Sequence, residues 1–496
     1  MTFKEKLDKF TFLVPIFNLE GDRLENFKFV LSKLVETEAN ILVVEQVKDK
    51  RKKSTPEGLC KKLNVDYLPV KISSNAMNKS MVINHAVDII DTEFVWVNDA
   101  DCYLKFPKII ETVNFNHDFI QPYQQIKFIS KQLSDSIRDN IKCNIDFSNK
   151  STAFSGCMYG ALSFIFKKKA FKDIGGLDNN IDLYHEDTEL CYRLIKNKKY
   201  DIHMLFGIYG IHLHHEYNNR PTRIKINGKR MSNLHNNVSL NDIIHTIQDY
   251  YGQLFLKSKK IEILTMFRGD LNLLENITKF INSSSKEIEE LNINITWVCN
   301  SECEQFKRAI RKNSQINKRI NIRQGSDLGG HNKDDYLAGD IHYKIGSAYD
   351  DYFRKSNADI IITLEDDVLP LEKNAISKLL LSLIQHPSAA IVCATYESRH
   401  ISQYCKMEGV SIGHLIGEKS GLLMNNIKNT GLKEMSWVGG GFTAYDLSIF
   451  MNINNFASEF SYTSPIGWDI FLSNHARKSG KSVLLDTNIF CDHIYT

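Results

Sequence analysis

The sequence has little of what marks several special classes of protein. Proline is scarce, with 9 residues in 496, and the ten cysteines are scattered without a C-x-x-C pair. We therefore expect free thiols in a reducing cytosol, and neither a disulfide framework nor a zinc ribbon. The 62 Lys and Arg nearly balance the 59 Asp and Glu, and the resulting charge of +3 gives no field that favours general nucleic-acid binding.

Targeting and membrane signals are also missing from the pattern. No apolar run approaches the roughly 18 residues of a membrane span. The first apolar stretch, residues 10–17, is short, is interrupted by Pro15 and has no small-residue cleavage site. We expect a soluble cytoplasmic protein, peripheral at most to the inner face of a membrane. The length of 496 residues suggests about two to four domains at roughly 150 residues each.

What is present is an alternation of strand and helix patterns. In the first half, strands are predicted at 11–18, 41–45 and 94–97, with an amphipathic stretch at 24–35. Such alternation predicts parallel βαβ units, and ligands bind at the carboxyl ends of their strands. The last of these strands runs directly into Asp99 and Asp101.

The second half repeats this scheme after a polar, basic segment. Strands are predicted at 261–267, 293–298 and 358–364, and the last one ends in Glu365-Asp366-Asp367. We therefore predict a first domain at 1–217, a linker at 218–260 and a second domain at 261–496. The linker contains Arg220, Arg223, Lys225, Lys229 and Arg230. Its charges are interpreted as a solvated surface, with phosphate or acceptor contact as the alternative.

The acidic clusters at the strand ends suit a divalent cation. Mg²⁺ and Mn²⁺ prefer oxygen ligands, share a diphosphate readily and stabilise the charge of a departing nucleotide. An Asp-x-Asp motif alone is common by chance, and the alternative interpretation of either cluster is a loop cap or a solvated acidic turn. A histidine follows late in each half, His212 (with His214 and His215 behind it) and His493, and a neutral imidazole could complete a mixed oxygen and nitrogen site.

A second acidic motif lies between these elements in each half. Asp187 begins an amphipathic helix after Tyr184-His185-Glu186, and Asp469 opens another in Gly467-Trp468-Asp469. A carboxylate at this position either caps the helix or acts as a general base toward an acceptor hydroxyl. The glycines of Trp437-Val-Gly-Gly-Gly441 either let an acceptor approach the backbone or serve packing.

With these motifs in order, the chain resembles two tandem GT-A glycosyltransferase domains that use nucleotide sugars. Val14-Pro-Ile-Phe-Asn18 resembles the opening strand of family-2 enzymes. Val44-Glu45-Gln46, the segments 78–84 and 97–101, and residues 156–193 resemble the β-1,4-galactosyltransferase and bacterial chondroitin-synthase branch. The usual Trp-Gly before Glu-Asp is replaced by Leu183-Tyr-His185, which leaves the donor and acceptor open. Residues 260–496 resemble a more distant GT-A domain through Thr265-Met-Phe-Arg268, the Trp437–Phe442 segment and Gly467-Trp-Asp469.

The resemblance implies an α/β fold of two Rossmann-like, mostly parallel GT-A domains and a role for each motif. The implied roles are metal binding for Asp101, His212, Asp367 and His493; general bases in Asp187 and Asp469; and substrate contacts from Asp99, Glu186, Glu365, Asp366, Asn18, Glu45, Trp437 and Gly440. The implied reaction is an inverting single displacement with Mn²⁺ or Mg²⁺, which moves sugars from nucleotide-diphosphate donors, UDP-sugars first, to a glycan acceptor. A bifunctional enzyme of polysaccharide or oligosaccharide synthesis is the leading hypothesis.

Other functions stay open at the level of the sequence. One domain could be catalytic and the other a binding module, because the fold alone does not prove activity. An enzyme that glycosylates modified DNA bases, as in some phages, fits the basic linker, but the net charge of +3 does not favour it. A nucleotidyltransferase is a more distant alternative.

Overall fold

The computed structural model describes residues 1–48, 54–74, 76–139, 153–155, 162–216, 220–316, 319–325, 340–386, 388–397, 413–416, 429–450, 453 and 467–494. Residues 156–161, which open one of the predicted motifs, lie outside this part. The chain divides into two compact units, Met1–Leu254 and Phe255–Thr496, and each is described by itself. In the described part, none of the helices combines the length and apolarity of a membrane span.

The first unit contains eleven strands and ten helices in its described part. The strands are β1 Phe10–Ile16, β2 Asn40–Val47, β3 Asp66–Lys71, β4 Phe94–Asn98, β5 Cys102–Tyr103, β6 Phe119–Gln121, β7 Gln125–Ile129, β8 Ala153–Ser155, β9 Ser163–Lys167, β10 Ile202–Met204 and β11 Tyr209–His212. The helices are α1 Phe3–Leu7, α2 Gly21–Val35, α3 Thr55–Leu63, α4 Lys79–Ile89, α5 Phe106–Thr112, α6 Lys131–Arg138, α7 Lys168–Asp173, α8 Glu186–Asn197, α9 Arg220–Leu234 and α10 Leu240–Lys257.

Its main sheet has the order β10-β6-β9-β4-β1-β2-β3. Strands β3, β2, β1 and β4 are parallel, and β9 runs antiparallel to both β4 and β6. All residues of β1 and β4 are buried, as expected for parallel strands covered by helices on both faces. A second, smaller sheet has the order β5-β11-β7-β8, and β5 is the next strand after β4 in the chain.

The packing of β4 fixes where the acidic residues after it emerge. The Trp96 side chain is fully buried, and its indole N–H donates to the Ser163 hydroxyl at 2.8 Å. Its ring lies 4.6 Å from that of Phe12 on β1, centroid to centroid. Such aromatic packing holds β4 against β1 and β9, so the chain leaves β4 at a defined point.

The second unit contains ten strands and six α-helices in its described part. The strands are β12 Ile261–Phe267, β13 Asn294–Cys299, β14 Ile320–Gln324, β15 Ile360–Leu364, β16 Val368–Pro370, β17 Ala389–Thr395, β18 His414–Leu415, β19 Leu432–Trp437, β20 Phe442–Asp446 and β21 Ser482–His493. The helices are α11 Leu271–Ser283, α12 Ser285–Glu290, α13 Glu304–Ile316, α14 Asp340–Lys355, α15 Ala375–Gln385 and α16 Trp468–Lys478.

The two units share a strand order. In the second unit the sheet runs β14-β13-β12-β15-β20-β17-β21-β19-β18, with β16 paired to β21. Four parallel strands come first, β20 is antiparallel to β15, and β17 is antiparallel to β20. The corresponding order β3-β2-β1-β4-β9-β6 has the same directions. The prediction of an α/β fold is confirmed; the sheets are mixed, and each main sheet has a run of four parallel strands.

The interpretation of 218–260 as a polar linker needs a correction. Helices α9 and α10 occupy most of this segment, and Met231, Ile243, Ile247 and Tyr251 are buried in the hydrophobic core of the first unit. The composition is polar because the outward faces carry exposed charges such as Lys225 and Lys229. The apolar residues 243, 247 and 251 recur at the spacing of one helix face, and that periodicity indicates packing where average composition does not.

Candidate active sites

The first site begins in the turn that follows β4. The Asn98 amide donates to the carbonyls of Asp99 and Cys102 at 3.0 and 2.9 Å, and the Asp99 N–H donates to the Leu162 carbonyl at 2.8 Å. These bonds fix the backbone of the Asp-x-Asp segment. Because residues 99 and 101 lie at the carboxyl end of a parallel strand, their side chains face the edge where ligands bind in such sheets.

Three side chains at this edge form a candidate metal site. Strand β11 pairs antiparallel with β5, which brings His212 opposite Cys102 and beside Asp101. The Nε2 atoms of His212 and His215 lie 3.7 and 3.0 Å from the Asp101 carboxylate oxygens. One potential ligand atom from each residue lies within 4.8 Å of the others. The sequence analysis predicted His212 as the metal ligand, with His214 and His215 as alternatives, whereas the structure brings both His212 and His215 to Asp101.

The chemistry of this trio fits a divalent cation of the Mn²⁺ type. One carboxylate and two imidazoles form a mixed oxygen and nitrogen set. Asp101 Oδ1 is buried and accepts no hydrogen bond in the part of the chain that the structure describes. Burial would raise the pKa of Asp101, but His212 and His215 outweigh that effect and lower it well below its usual range. His214 lies outside the trio, with Nδ1 4.0 Å from the Asp22 carboxylate.

A buried lysine connects the strand end to the helix that carries the proposed base. Lys79, at the start of α4, is 3% exposed, and its Nζ lies 2.8 Å from Asp99 and 3.2 Å from Glu186. Burial alone would lower the pKa of Lys79, but the two carboxylates raise it above its usual range. Burial raises the pKa values of Asp99 and Glu186. The motif around Lys79 was noted in the sequence, but its position inside the site was not predicted.

Asp187 occupies the second position of α8. Its Oδ1 accepts hydrogen bonds from the backbone N–H and the hydroxyl of Thr188, at 2.5 and 3.1 Å. Glu186 and Asp187 are both buried, and Glu186 Oε2 accepts no hydrogen bond from any described residue. The carboxylate of Asp187 therefore lies at a helix N-terminus, where a negative charge is stabilised. This position is compatible with both the capping and the general-base interpretation.

The second unit repeats the backbone geometry of the first site. After β15, Val368 pairs with His493 as Cys102 pairs with His212. The N–H that follows each histidine donates to the preceding acidic residue's carbonyl, from Ile494 to Asp367 at 2.8 Å and from Leu213 to Asp101 at 2.9 Å. His493 Nε2 lies 3.9 Å from the Asp367 carboxylate. The aspartate and histidine of each half thus occupy matching positions.

The second site differs in the charge that faces its acidic residues. The Arg268 guanidinium lies 3.1 Å from Asp366 and 2.9 Å from Asp367, and its backbone N–H donates to Asp366 at 3.1 Å. Glu365 precedes them, with its N–H bonded to the Gly441 carbonyl at 2.7 Å. A trio of potential ligands like that around Asp101 is not found elsewhere among the described residues. Arg268 was noted as part of a strand motif, and its ion pairs were not predicted.

Asp469 holds the same helical position in α16 as Asp187 holds in α8. Its Oδ1 accepts the Ile470 N–H at 2.8 Å, just as Asp187 accepts that of Thr188. Burial raises the pKa of Asp469 to about 6, in spite of the backbone N–H groups that lower it. A carboxylate with this pKa lies close to the range that suits a general base near neutral pH.

Packing accounts for Gly440, which the sequence placed among the substrate contacts. A side chain there would overlap the Trp468 ring, and the Gly440 carbonyl accepts the Thr363 hydroxyl at 2.5 Å. Trp437 is half-buried at the end of β19, opposite His414. The packing interpretation of this glycine motif is therefore the one that the contacts support.

The other two predicted substrate contacts follow the first two strands. Asn18 comes after β1 with a left-handed backbone, φ 45°. Glu45, on β2, is buried, and its carboxylate accepts the Ser54 and Tyr67 hydroxyls, both at 2.6 Å. Glu45 thereby connects β2 with β3 and the start of α3. Its contacts within the unit give it a role in packing.

Comparisons with known proteins add only distant neighbours. No family model matches the chain, and no curated protein matches it. Among solved structures, it is similar to the mannosyltransferase PcManGT from Pyrobaculum calidifontis in complex with GDP-Man and Mn²⁺, with 11% identity and a TM-score of 0.32. That alignment covers 50% of this chain and 66% of the other.

Two further structures are similarly distant. GalNAc-T7 with UDP, GalNAc and Mn²⁺ has 13% identity and a TM-score of 0.35, covering 48% of this chain and 43% of the other. A197 from STIV has 13% identity and a TM-score of 0.26, covering 48% and 86%. At such TM-scores these neighbours support neither the fold nor the chemistry, so both are inferred from the strand order and the side chains above.

Proposed function

We propose that the chain is a metal-dependent glycosyltransferase with two GT-A domains, each of which uses a nucleotide-diphosphate sugar. The observation that carries this proposal is the repeat of one constellation in both units. In each unit, the residue that follows an aspartate after the fourth parallel strand pairs with a histidine on a neighbouring strand. A further aspartate is the second residue of a helix that precedes that histidine in the chain. Two sites with the same register favour a shared chemistry over two unrelated acidic turns.

In the first unit, Asp101, His212 and His215 would hold Mn²⁺ or Mg²⁺. When bound, the ion supplies positive charge to the diphosphate leaving group. Asp187 would take the proton of an acceptor hydroxyl as that oxygen forms a bond to the sugar C1 and the bond between C1 and the diphosphate oxygen breaks. Attack from the face opposite the leaving group inverts the configuration. Asp99 would contact the donor ribose and Glu186 the acceptor.

In the second unit, Asp367 and His493 would serve the metal, with Glu365 and Asp366 near the nucleotide and Asp469 as the base. UDP-sugars as donors, a glycan acceptor and a role in polysaccharide or oligosaccharide synthesis complete the proposal, with DNA as the less favoured acceptor. A second candidate is that this unit binds without turnover. The ion pairs of Arg268 with Asp366 and Asp367 favour that candidate, because they neutralise the acidic residues that a cation would need.

The test is the release of nucleoside diphosphate by the purified full-length protein. A panel of UDP-sugars with glycan and DNA acceptors is assayed with Mn²⁺, with Mg²⁺ and with EDTA. The proposal expects release that depends on metal and acceptor, and its loss in a double variant, Asp101→Asn with Asp367→Asn. The matched control is Asp22→Asn, which changes a carboxylate outside both proposed metal sites. No release with any donor and acceptor, or release that EDTA leaves unchanged, would contradict the proposal.

A further inference from the structure

The loop before the proposed base of the first unit has an unusual backbone. Tyr184 and His185 both have left-handed conformations, with φ of 65° and 73°. For residues with side chains this conformation is costly and persists only where the surroundings hold it. The chain enters α8 directly from this pair, so the loop determines where Glu186 and Asp187 begin.

Helix α4 holds one side of this loop. The Lys79 N–H donates to the Asp182 carbonyl at 2.7 Å, and the Ser80 hydroxyl donates to the Ile181 carbonyl at 2.6 Å. The same helix contributes the Lys79 ammonium that contacts Asp99 and Glu186. The loop and the acidic residues of the site therefore share one support on this side.

The Asn227 side chain of α9 holds the other side. The Asn227 amide nitrogen donates to the Asp182 carboxylate at 2.8 Å, to the Leu183 carbonyl at 2.6 Å and to the Tyr184 carbonyl at 3.3 Å. Its amide oxygen accepts from the Arg230 guanidinium at 3.2 Å, which fixes the orientation of the amide. Asn227 is 1% exposed, so its own amide depends on these protein partners and not on water.

A second contact joins the end of α9 to helix α8. His235, just beyond α9, places Nε2 3.2 Å from Glu189 of α8. Glu189 is fully buried and also accepts two hydrogen bonds from Arg193, at 2.6 and 2.7 Å. Helix α9 therefore contacts both the entry loop and the first turns of α8.

We propose that Asn227 is a positioning residue for the first active site, which extends into α9. It bonds the carbonyls of the left-handed loop and thereby sets the place of Glu186 and Asp187. This inference rests on the proposed function, because it concerns the geometry of that transfer. It makes a segment that resembles a linker in sequence a part of the catalytic unit.

The test compares Asn227→Asp and Asn227→Ala with Asn233→Ala in the full-length protein. Asn227→Asp keeps the size of the side chain but replaces its N–H donors with an acceptor facing three other acceptors. Asn233 lies on the same helix and is exposed, so it is the matched control. All variants carry Asp469→Asn, so that release reports the first unit.

We expect kcat for nucleoside diphosphate release to fall about 10–100-fold in both Asn227 variants, since small misplacements of catalytic groups cost rates of that size. The KM of the donor and the binding of UDP with Mn²⁺ should stay near those of the control. The thermal midpoint should fall because buried hydrogen bonds are lost, so kcat is measured well below the midpoint of each variant. Wild-type release tests the proposed function, whereas the ratio of variant to control tests this inference. An unchanged kcat, or a loss of kcat accompanied by an equal loss of UDP and Mn²⁺ binding in protein that is still folded, would overturn it.

Discussion

The pair of histidines at 214 and 215 allows a sharp test of the first metal site. His215 Nε2 lies 3.0 Å from the Asp101 carboxylate, whereas His214 Nδ1 lies 4.0 Å from Asp22 and outside the trio. His215→Ala removes one of the three potential protein ligands, and His214→Ala removes a neighbouring imidazole of the same chemistry. The two variants therefore separate coordination from a general loss of histidine.

The expected size of the effect follows from the number of ligands. Changes to groups that only support a metal ligand typically cost 10–100-fold in metal affinity, so loss of a ligand itself should cost at least about that much. The assay is a calorimetric titration of Mn²⁺ in the presence of UDP, in a background of Asp367→Asn so that the first unit dominates. His214→Ala should stay within about threefold of the background protein. Equal affinities for the two variants would refute the coordination by His215.

Further predictions concern charges at the two sites. Arg268→Gln should strengthen Mn²⁺ binding by the second unit in calorimetric titration, because two buried carboxylates lose their cationic partner; weaker binding would contradict this. Lys79→Met should destabilise the protein by about 3–5 kcal/mol in urea unfolding, because it leaves the buried carboxylate of Glu186 and the half-buried carboxylate of Asp99 without their ion pair, while Lys225→Met on the exposed surface should change little. Transfer by the second unit should fall as the pH drops through about 6, where Asp469 gains a proton, and a flat profile would remove it as the base. The raised pKa also means that the folded state binds this proton more tightly than the unfolded state, so the contribution of Asp469 to stability is lost as the pH rises toward 6. Asp469→Asn should therefore raise the thermal midpoint at pH 7–8.

Much of the fold could be predicted from the hydrophobic periodicity and from the acidic residues at the ends of strands. The strand at 261–267 has its predicted bounds, and Asp270 caps the helix after it through hydrogen bonds to Asn272 and Leu273 at 2.7 and 3.2 Å. Apolar runs mark buried parallel strands because both faces of such strands are covered. The repeat was visible for the same reason, since each half has one such strand before an acidic cluster.

The parts that were missed depend on contacts between distant residues. Lys79 and Asp99 are brought together by the sheet and α4, and no local spacing indicates that pair. The choice among His212, His214 and His215 depends on the register of β11 with β5, which places two of the three histidines at Asp101. No local spacing indicates that a side chain at Gly440 would overlap Trp468, which lies in a helix later in the chain.

The central claim is that each unit performs its own transfer, and product length tests it most directly. Asp187→Asn and Asp469→Asn keep the shape of the side chain and remove the base, which typically costs about 10²–10⁴-fold in rate. Products are measured by mass spectrometry with both donors and a suitable acceptor. Each single variant should add at most one sugar and stop, and mixing the two should restore growth of the chain. If Asp469→Asn leaves every transfer unchanged while Asp187→Asn removes them all, only the first unit is catalytic and the claim fails.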